Sequence, residues 1–110
     1  MKLQELIDNL DLEVIVATDL QREIKGAYIG DLLSNVMARA KEGNLWITIQ
    51  GHQNVIAVAL LTGVSAVIVV EDFEIEEAAI KRAEEKKVNI LRTSKTAFQL
   101  AVEMVSRGVS

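Results

Sequence analysis

Cysteine and proline are both absent from this 110-residue chain, and histidine occurs once. Without cysteine there can be no disulfide framework, thiolate nucleophile or thiolate metal site, so nothing in the residues argues for an oxidising compartment. Long apolar runs are also missing. The longest spans residues 55–61, far short of the roughly 20 residues that cross a bilayer. The opening MKLQELIDNLDLE is broken by Glu5 and Asp8 and so lacks the apolar centre of a signal peptide. Basic residues are outnumbered, giving a net charge of -4, which disfavours a nucleic-acid partner. These absences lead to an expectation of a soluble cytoplasmic protein that binds neither membrane nor nucleic acid.

What is present is a globular composition, half apolar and a quarter charged, at a length close to the commonest size for one domain. A single domain over residues 1–110 is expected. Leu3, Leu6, Ile7 and Leu10 fall at helical spacing, and residues 12–17 (LEVIVA) form a β-branched strand. Residues 24–29 alternate like a half-buried strand. A helix over 31–40 carries Leu32, Leu33, Val36, Met37 and Ala40 on one stripe, with Gly43 placed to cap it. Residues 46–49 and 66–70 are strands, the second apolar throughout as a central parallel strand should be. About sixteen residues separate these two strands, which fits a crossover helix at 55–62 ended by Gly63.

A helix over 74–87 has Glu74, Glu76 and Glu77 near its start and Lys86 and Lys87 at its end, matching the helix dipole. Its inner face is expected to carry Ile75, Ala78, Ala79 and Ala83. A last strand at 88–91 and a last helix at 95–107 follow, that helix with Ala97, Phe98, Ala101, Val102 and Val105 as its buried stripe and Gly108 as its stop. Strand and helix alternate from residue 46 onward. The expected fold is α/β, a three-layer sandwich with a mostly parallel sheet of about five strands and helices on both faces.

Chemistry is sparse. The phosphate loop GxxxxGK[ST] is absent, and His52 is the only candidate general base. A small hydrolase using His52 with Ser34, Ser65 or Ser94 is one alternative, but no spacing selects among those hydroxyls. No paired ligands mark a metal site, and no cofactor is expected. Polar residues do concentrate in TIQGHQN, residues 48–54, where a strand should pass into a helix. Gly51 as the turn and Asn54 as the cap explain part of it. Thr48 and Gln50, alternating with Ile47 and Ile49, put polar groups where a parallel strand is normally apolar. Either that face meets solvent, or Thr48, Gln50, His52 and Asn54 line a ligand pocket or interface. Thr93, Ser94 and Lys95 form a second candidate: hydroxyls, a cation and a helix N-terminus suit an anion, or Thr93 or Ser94 simply caps the helix.

Residues 21–38, QREIKGAYIGDLLSNVMA, followed by WITIQ at 46–50 and then His52 and Asn54, resemble the DRTGG domain. That domain is similar to the N-terminal domain of HPr kinase/phosphorylase and to accessory modules of some phosphotransacetylases and of CBS-containing pyrophosphatases. Of the name-giving motif, Arg22 and Gly26 match, Gln21 stands in the Asp place and Ala27 replaces the second Gly. The resemblance implies an α/β domain that dimerises and regulates, without an activity of its own.

The helix at 55–61 is apolar all round and must be covered on every side. A homodimer through this helix or through the one at 31–40 would cover it, and so would flanking helices of the same chain. Two functions remain: a non-catalytic, ligand-sensing regulatory domain binding an anionic metabolite or nucleotide at the βα loops, or a protein-interaction adaptor for a metabolic enzyme or kinase.

Overall fold

A computed structural model describes all residues, 1–110. A five-stranded sheet in the order β1-β5-β4-β3-β2 is built from β1 (Glu13–Val16), β2 (Ala27–Ile29), β3 (Leu45–Thr48), β4 (Ala66–Val69) and β5 (Ile90–Arg92). Only β1 runs antiparallel, against β5. Five helices flank it: α1 (Leu3–Asn9), α2 (Leu33–Arg39), α3 (Asn54–Thr62), α4 (Glu77–Lys86) and α5 (Ala97–Ser106). Strand alternation sorts the core into two. One face of the sheet packs Trp46, Val67, Val69 and Ile90 against Val36, Ile56, Val58, Ala79 and Ala83 of α2, α3 and α4. The other packs Leu45, Ile47, Ile68 and Leu91 against Leu3, Leu6, Leu100 and Met104 of α1 and α5. The three-layer α/β sandwich expected from the sequence is the fold observed.

Several boundaries and faces differ from the sequence expectation. Residues 24–26 are not part of β2. The helix over 31–40 begins only at Leu33, and it ends with Ala40 extended; Gly43 serves a separate turn at φ +83. The acidic residues Glu74 and Glu76 precede α4, whose inner side is Ala79 and Ala83 with Ile75 and Ile80 against the same core, while Ala78 is exposed. Helix α5 is turned furthest from expectation. Leu100 and Met104 are its buried residues, whereas Phe98, Val102 and Val105 are 77%, 54% and 67% exposed. On α2 only Val36 is fully buried, and Leu32 and Met37 face outward.

Apolar α3 is covered by its own chain on one side only. It lies between α2 and α4 on the sheet, burying Val55, Ile56, Val58 and Ala59 and leaving Leu60 and Leu61 outside. Val58 is therefore core of this chain. Gly63 ends the helix in the left-handed region, at φ +74, as the sequence implies.

The link from β1 to β2 joins opposite edges of the sheet, so residues 17–26 must cross its whole width at the amino ends of the strands. Three buried polar residues, each one position before a strand, hold that strap. Before β5, Asn89 accepts from the Thr18 and Asp19 backbone N–H groups and the Thr18 hydroxyl, and donates to the carbonyls of Asp19 and Ser65. Before β4, Ser65 donates to the Glu23 carbonyl at 2.6 Å, and before β3, Asn44 donates to the Lys25 carbonyl at 2.5 Å. Buried polar groups are tolerable because each has its partner.

Candidate ligand site at the carboxyl edge of the sheet

At the opposite edge, the loops after β3, β4 and β5 lie side by side because those strands are parallel neighbours. Helix α4 follows β4 onto one face and α5 follows β5 onto the other, so the chain leaves these adjacent strands in opposite directions. Such a switch point is where open α/β sheets hold ligands.

The polar side of β3 turns out to be a clamp. Thr48, 1% exposed, donates its hydroxyl to Asp31 Oδ1 at 2.8 Å, and the Ile49 N–H donates to the same oxygen at 2.9 Å. The Gln50 side-chain amide donates to the Asp31 carbonyl, and the Gln50 N–H reaches back to the Thr48 hydroxyl at 3.3 Å. Thr48 and Gln50 thus tie the end of β3 to the chain leaving β2. Asp31 was not singled out in the sequence, where it looks like the start of a helix.

Asn54 is not a cap: it is already the first residue of α3, and its backbone N–H donates to His52 Nδ1 at 3.1 Å. An imidazole accepting at Nδ1 carries its proton on Nε2. That nitrogen lies 3.9 Å from Glu76 Oε1, with both side chains half exposed. Neither ring partner is a nucleophile, and Ser65 belongs to the opposite edge. Gly51 is required by close approach, since a Cβ there would collide with the backbone of Glu74 and Ile75. The Glu76 N–H donates to the Gly51 carbonyl at 2.9 Å, locking the GHQN loop onto residues 71–76.

Residues 71–76 stand between the two loops picked out in the sequence. Glu71 and Asp72 both have left-handed backbones, at φ +60 and +55. Their N–H groups donate to the carbonyls of Lys95 and Thr93, at 2.9 and 3.0 Å, which holds the strained pair in place. Non-glycine residues take this conformation at a cost of about 1 kcal/mol or more each, a pattern concentrated at functional sites.

Beyond this loop, the Thr93 hydroxyl accepts from the Lys95 N–H at 3.3 Å, while Ser94 is exposed. The cap of α5 is Thr96, paired with Gln99 in a capping box, and neither Thr93 nor Ser94. Lys95 Nζ is engaged with Glu103 at 2.5 Å. Arg92 lies 3.9 Å from Glu13 and donates to the Asp72 carbonyl at 2.6 Å.

Two separate hollows result. One, of about 360 Å³, is lined by Ile49, Gln50, Gly51, His52, Phe73, Glu74 and Glu76. The second, of about 310 Å³, is lined by Asp11, Leu12, Glu13, Asp72, Arg92, Thr93 and Ser94. Thr48 lines neither of these but, with Asp31 and Glu71, borders a smaller hollow of about 100 Å³, and Lys95 lines neither. Nowhere do three or more metal-ligating side chains gather. Phe73, 45% exposed on the rim of the first hollow, was not picked out in the sequence either.

The motif residues lie elsewhere. The Arg22 guanidinium donates to the carbonyls of Val64 and Gly63 at 3.0 and 2.9 Å, closing the exit of α3 from the strap side. Gly26 has φ +75 and lies close to the Ser110 carbonyl. Both belong to the amino edge, opposite the hollows.

Architecture and edge together place the chain among open-sheet α/β domains. It belongs to the DRTGG domain family, whose model matches residues 5–107. Among solved structures it is similar to the CBS and DRTGG domains of the regulatory region of Clostridium perfringens pyrophosphatase, complexed with the activator diadenosine tetraphosphate. The TM-score is 0.77 at 17% identity, over 94% of this chain and 46% of that one. That structure shares the fold, and this chain spans about half its length. No curated protein matches in sequence. No helix is long and apolar enough to cross a membrane.

Proposed function

We propose that this chain is a non-catalytic regulatory domain that senses a small metabolite, a nucleotide in the first instance, at the carboxyl edge of its sheet, and that it acts as a homodimer. The strained loop at residues 71–76, wedged between two hollows at the switch point of the sheet, is the observation that carries the reading. Backbone strain persists only where the surroundings impose it, and here it presents Phe73, Glu74 and Glu76 to the first hollow. The nucleotide activator of the similar pyrophosphatase region supports the choice of ligand class. Thermal unfolding of the purified chain against nucleosides, nucleotides, sugar phosphates, acyl phosphates and simple anions tests it, because a ligand that prefers the native state raises the midpoint. No shift with any of them removes the reading.

A second reading, a protein-interaction adaptor, is favoured by one observation: Phe98, Val102 and Val105 form an exposed apolar line on α5 at i, i+4 and i+7. On the adaptor reading this line meets a partner protein; on the regulatory reading it meets a second copy. The solution mass of the isolated chain separates the two.

A further inference from the structure

The carboxyl edge is unusual for a site that would take a nucleotide, because its charge has the wrong sign for phosphate. Glu74 and Glu76 line the first hollow, and Asp11, Glu13 and Asp72 line the second. Of the nearby cations, Lys95 is paired with Glu103, and Arg92 donates to the Asp72 carbonyl and lies 3.9 Å from Glu13, with its Nε unpartnered. A phosphate entering either hollow would meet carboxylates within the Debye length of physiological salt, about 8 Å.

The first hollow nevertheless has what an uncharged ribonucleoside requires. Phe73 stands on its rim with its ring half exposed, and every base has a face that stacks on an aromatic ring. Carboxylates are the usual acceptors for ribose hydroxyls, and Glu74 and Glu76 supply two. Gln50 has its amide nitrogen tied to Asp31, which leaves its carbonyl oxygen as an acceptor, and His52 presents an Nε2–H donor beside Glu76. A volume of about 360 Å³ falls in the range of small-ligand sites.

We infer that this hollow recognises the nucleoside end of its ligand, with the base on Phe73 and the ribose diol on Glu74 and Glu76, and that any phosphates are directed out into solvent. The inference rests on the ligand-sensing reading and narrows it: the ligand is selected for its base and sugar, and added phosphate weakens binding.

Calorimetry on the full chain with adenosine, guanosine, cytidine and uridine, and with the 5′-monophosphate of each, tests this at fixed ionic strength. The expected result is a nucleoside that binds at least threefold tighter than its monophosphate. Phe73→Ala, at an exposed position that leaves the core intact, weakens that nucleoside by about tenfold. In the doubly substituted Glu74→Gln, Glu76→Gln chain, the gap between nucleoside and monophosphate closes. A monophosphate that binds tighter than its nucleoside, or binding indifferent to Phe73→Ala, overturns the inference while leaving a ligand-sensing domain. Failure of all eight compounds to bind overturns it as well. The broader reading falls only if sugar phosphates, acyl phosphates and simple anions also leave the unfolding midpoint unchanged.

Discussion

Thr48 and Asp31, seventeen residues apart in sequence, are joined by a 2.8 Å hydrogen bond that fixes where the loop after β3 leaves the sheet. Thr48 is buried, and the same carboxylate oxygen takes the Ile49 N–H. In Asp31→Ala the Thr48 hydroxyl and the Ile49 N–H lose their shared acceptor; because Asp31 is itself exposed, water replaces part of what is lost, and the cost is about 1 kcal/mol. Adding Thr48→Val removes the stranded hydroxyl and should recover part of that loss. Denaturant midpoints of the two single variants and the double variant check this; strictly additive losses would show that the two side chains are not coupled.

The strap across the amino edge leads to a second prediction. Asn89 makes five hydrogen bonds in a buried position, so Asn89→Ala leaves several backbone groups of residues 18–19 and 65 without partners. A loss of about 3 kcal/mol or more is expected. Arg22→Lys keeps the charge but cannot fork onto both the Gly63 and Val64 carbonyls, and should lose about 1 kcal/mol. Ligand binding at the far edge should be unchanged in Arg22→Lys. A selective loss of binding in that variant, with stability intact, would show the motif arginine to be a ligand contact.

How much of this was legible beforehand depends on the period of the pattern. Strands β3 and β4 were found because both faces are buried and the runs are continuous. Helix α5 was found but rotated, because its apolar residues extend over more than half its circumference. The sequence offers Phe98 and Val102 as readily as Leu100 and Met104, and only the position of α1 and the sheet decides. Caps were misplaced for a related reason. Asn54, Thr93 and Ser94 all have suitable side chains, yet none of them caps; the turn that the neighbouring loop imposes decides, and for α5 it selects Thr96. Thr48 and Gln50 were correctly identified as out of place on a parallel strand. Their partner Asp31 was invisible because it lies across a strand pairing, at no characteristic spacing. Phe73 had no signal at all.

The two apolar helices should respond oppositely to charge. Val58→Asp puts a carboxylate into the core between α3 and the sheet, and the chain should not fold. Val105→Glu lies on the open face of α5, and the fold should survive with a midpoint within a few degrees of the parent. If a second copy covers that face, Val105→Glu converts a dimer to a folded monomer by light scattering. A dimer that persists in Val105→Glu moves the contact to another surface.

Gly51 and Glu74 touch so closely that the loop geometry can be tested with a single methyl group. At Gly51 the backbone has no need of a positive φ, so Gly51→Ala acts through the collision with the Glu74 backbone alone. Relieving it must displace residues 74–76, with a loss of about 1–3 kcal/mol and a weaker site. Thermal unfolding and ligand titration should therefore fail together, whereas an ordinary loop glycine would tolerate alanine with neither change.

Glu71 and Lys87 offer a test of whether strain at the candidate site is more than a local accident. Both are non-glycine residues with φ near +60, but Lys87 merely ends α4, while Glu71 opens the loop that carries Phe73. Glycine removes the steric penalty at either position and adds back some unfolded-state entropy, so each change should stabilise by about 0.5–1 kcal/mol. The midpoints should rise together in Lys87→Gly and Glu71→Gly. Binding is where they should part: Lys87→Gly leaves it untouched, and Glu71→Gly, by loosening a loop held in one conformation, weakens it several-fold. Equal binding in the two variants would mean that the left-handed pair at 71 and 72 is an incident of chain reversal with no part in presenting the hollow.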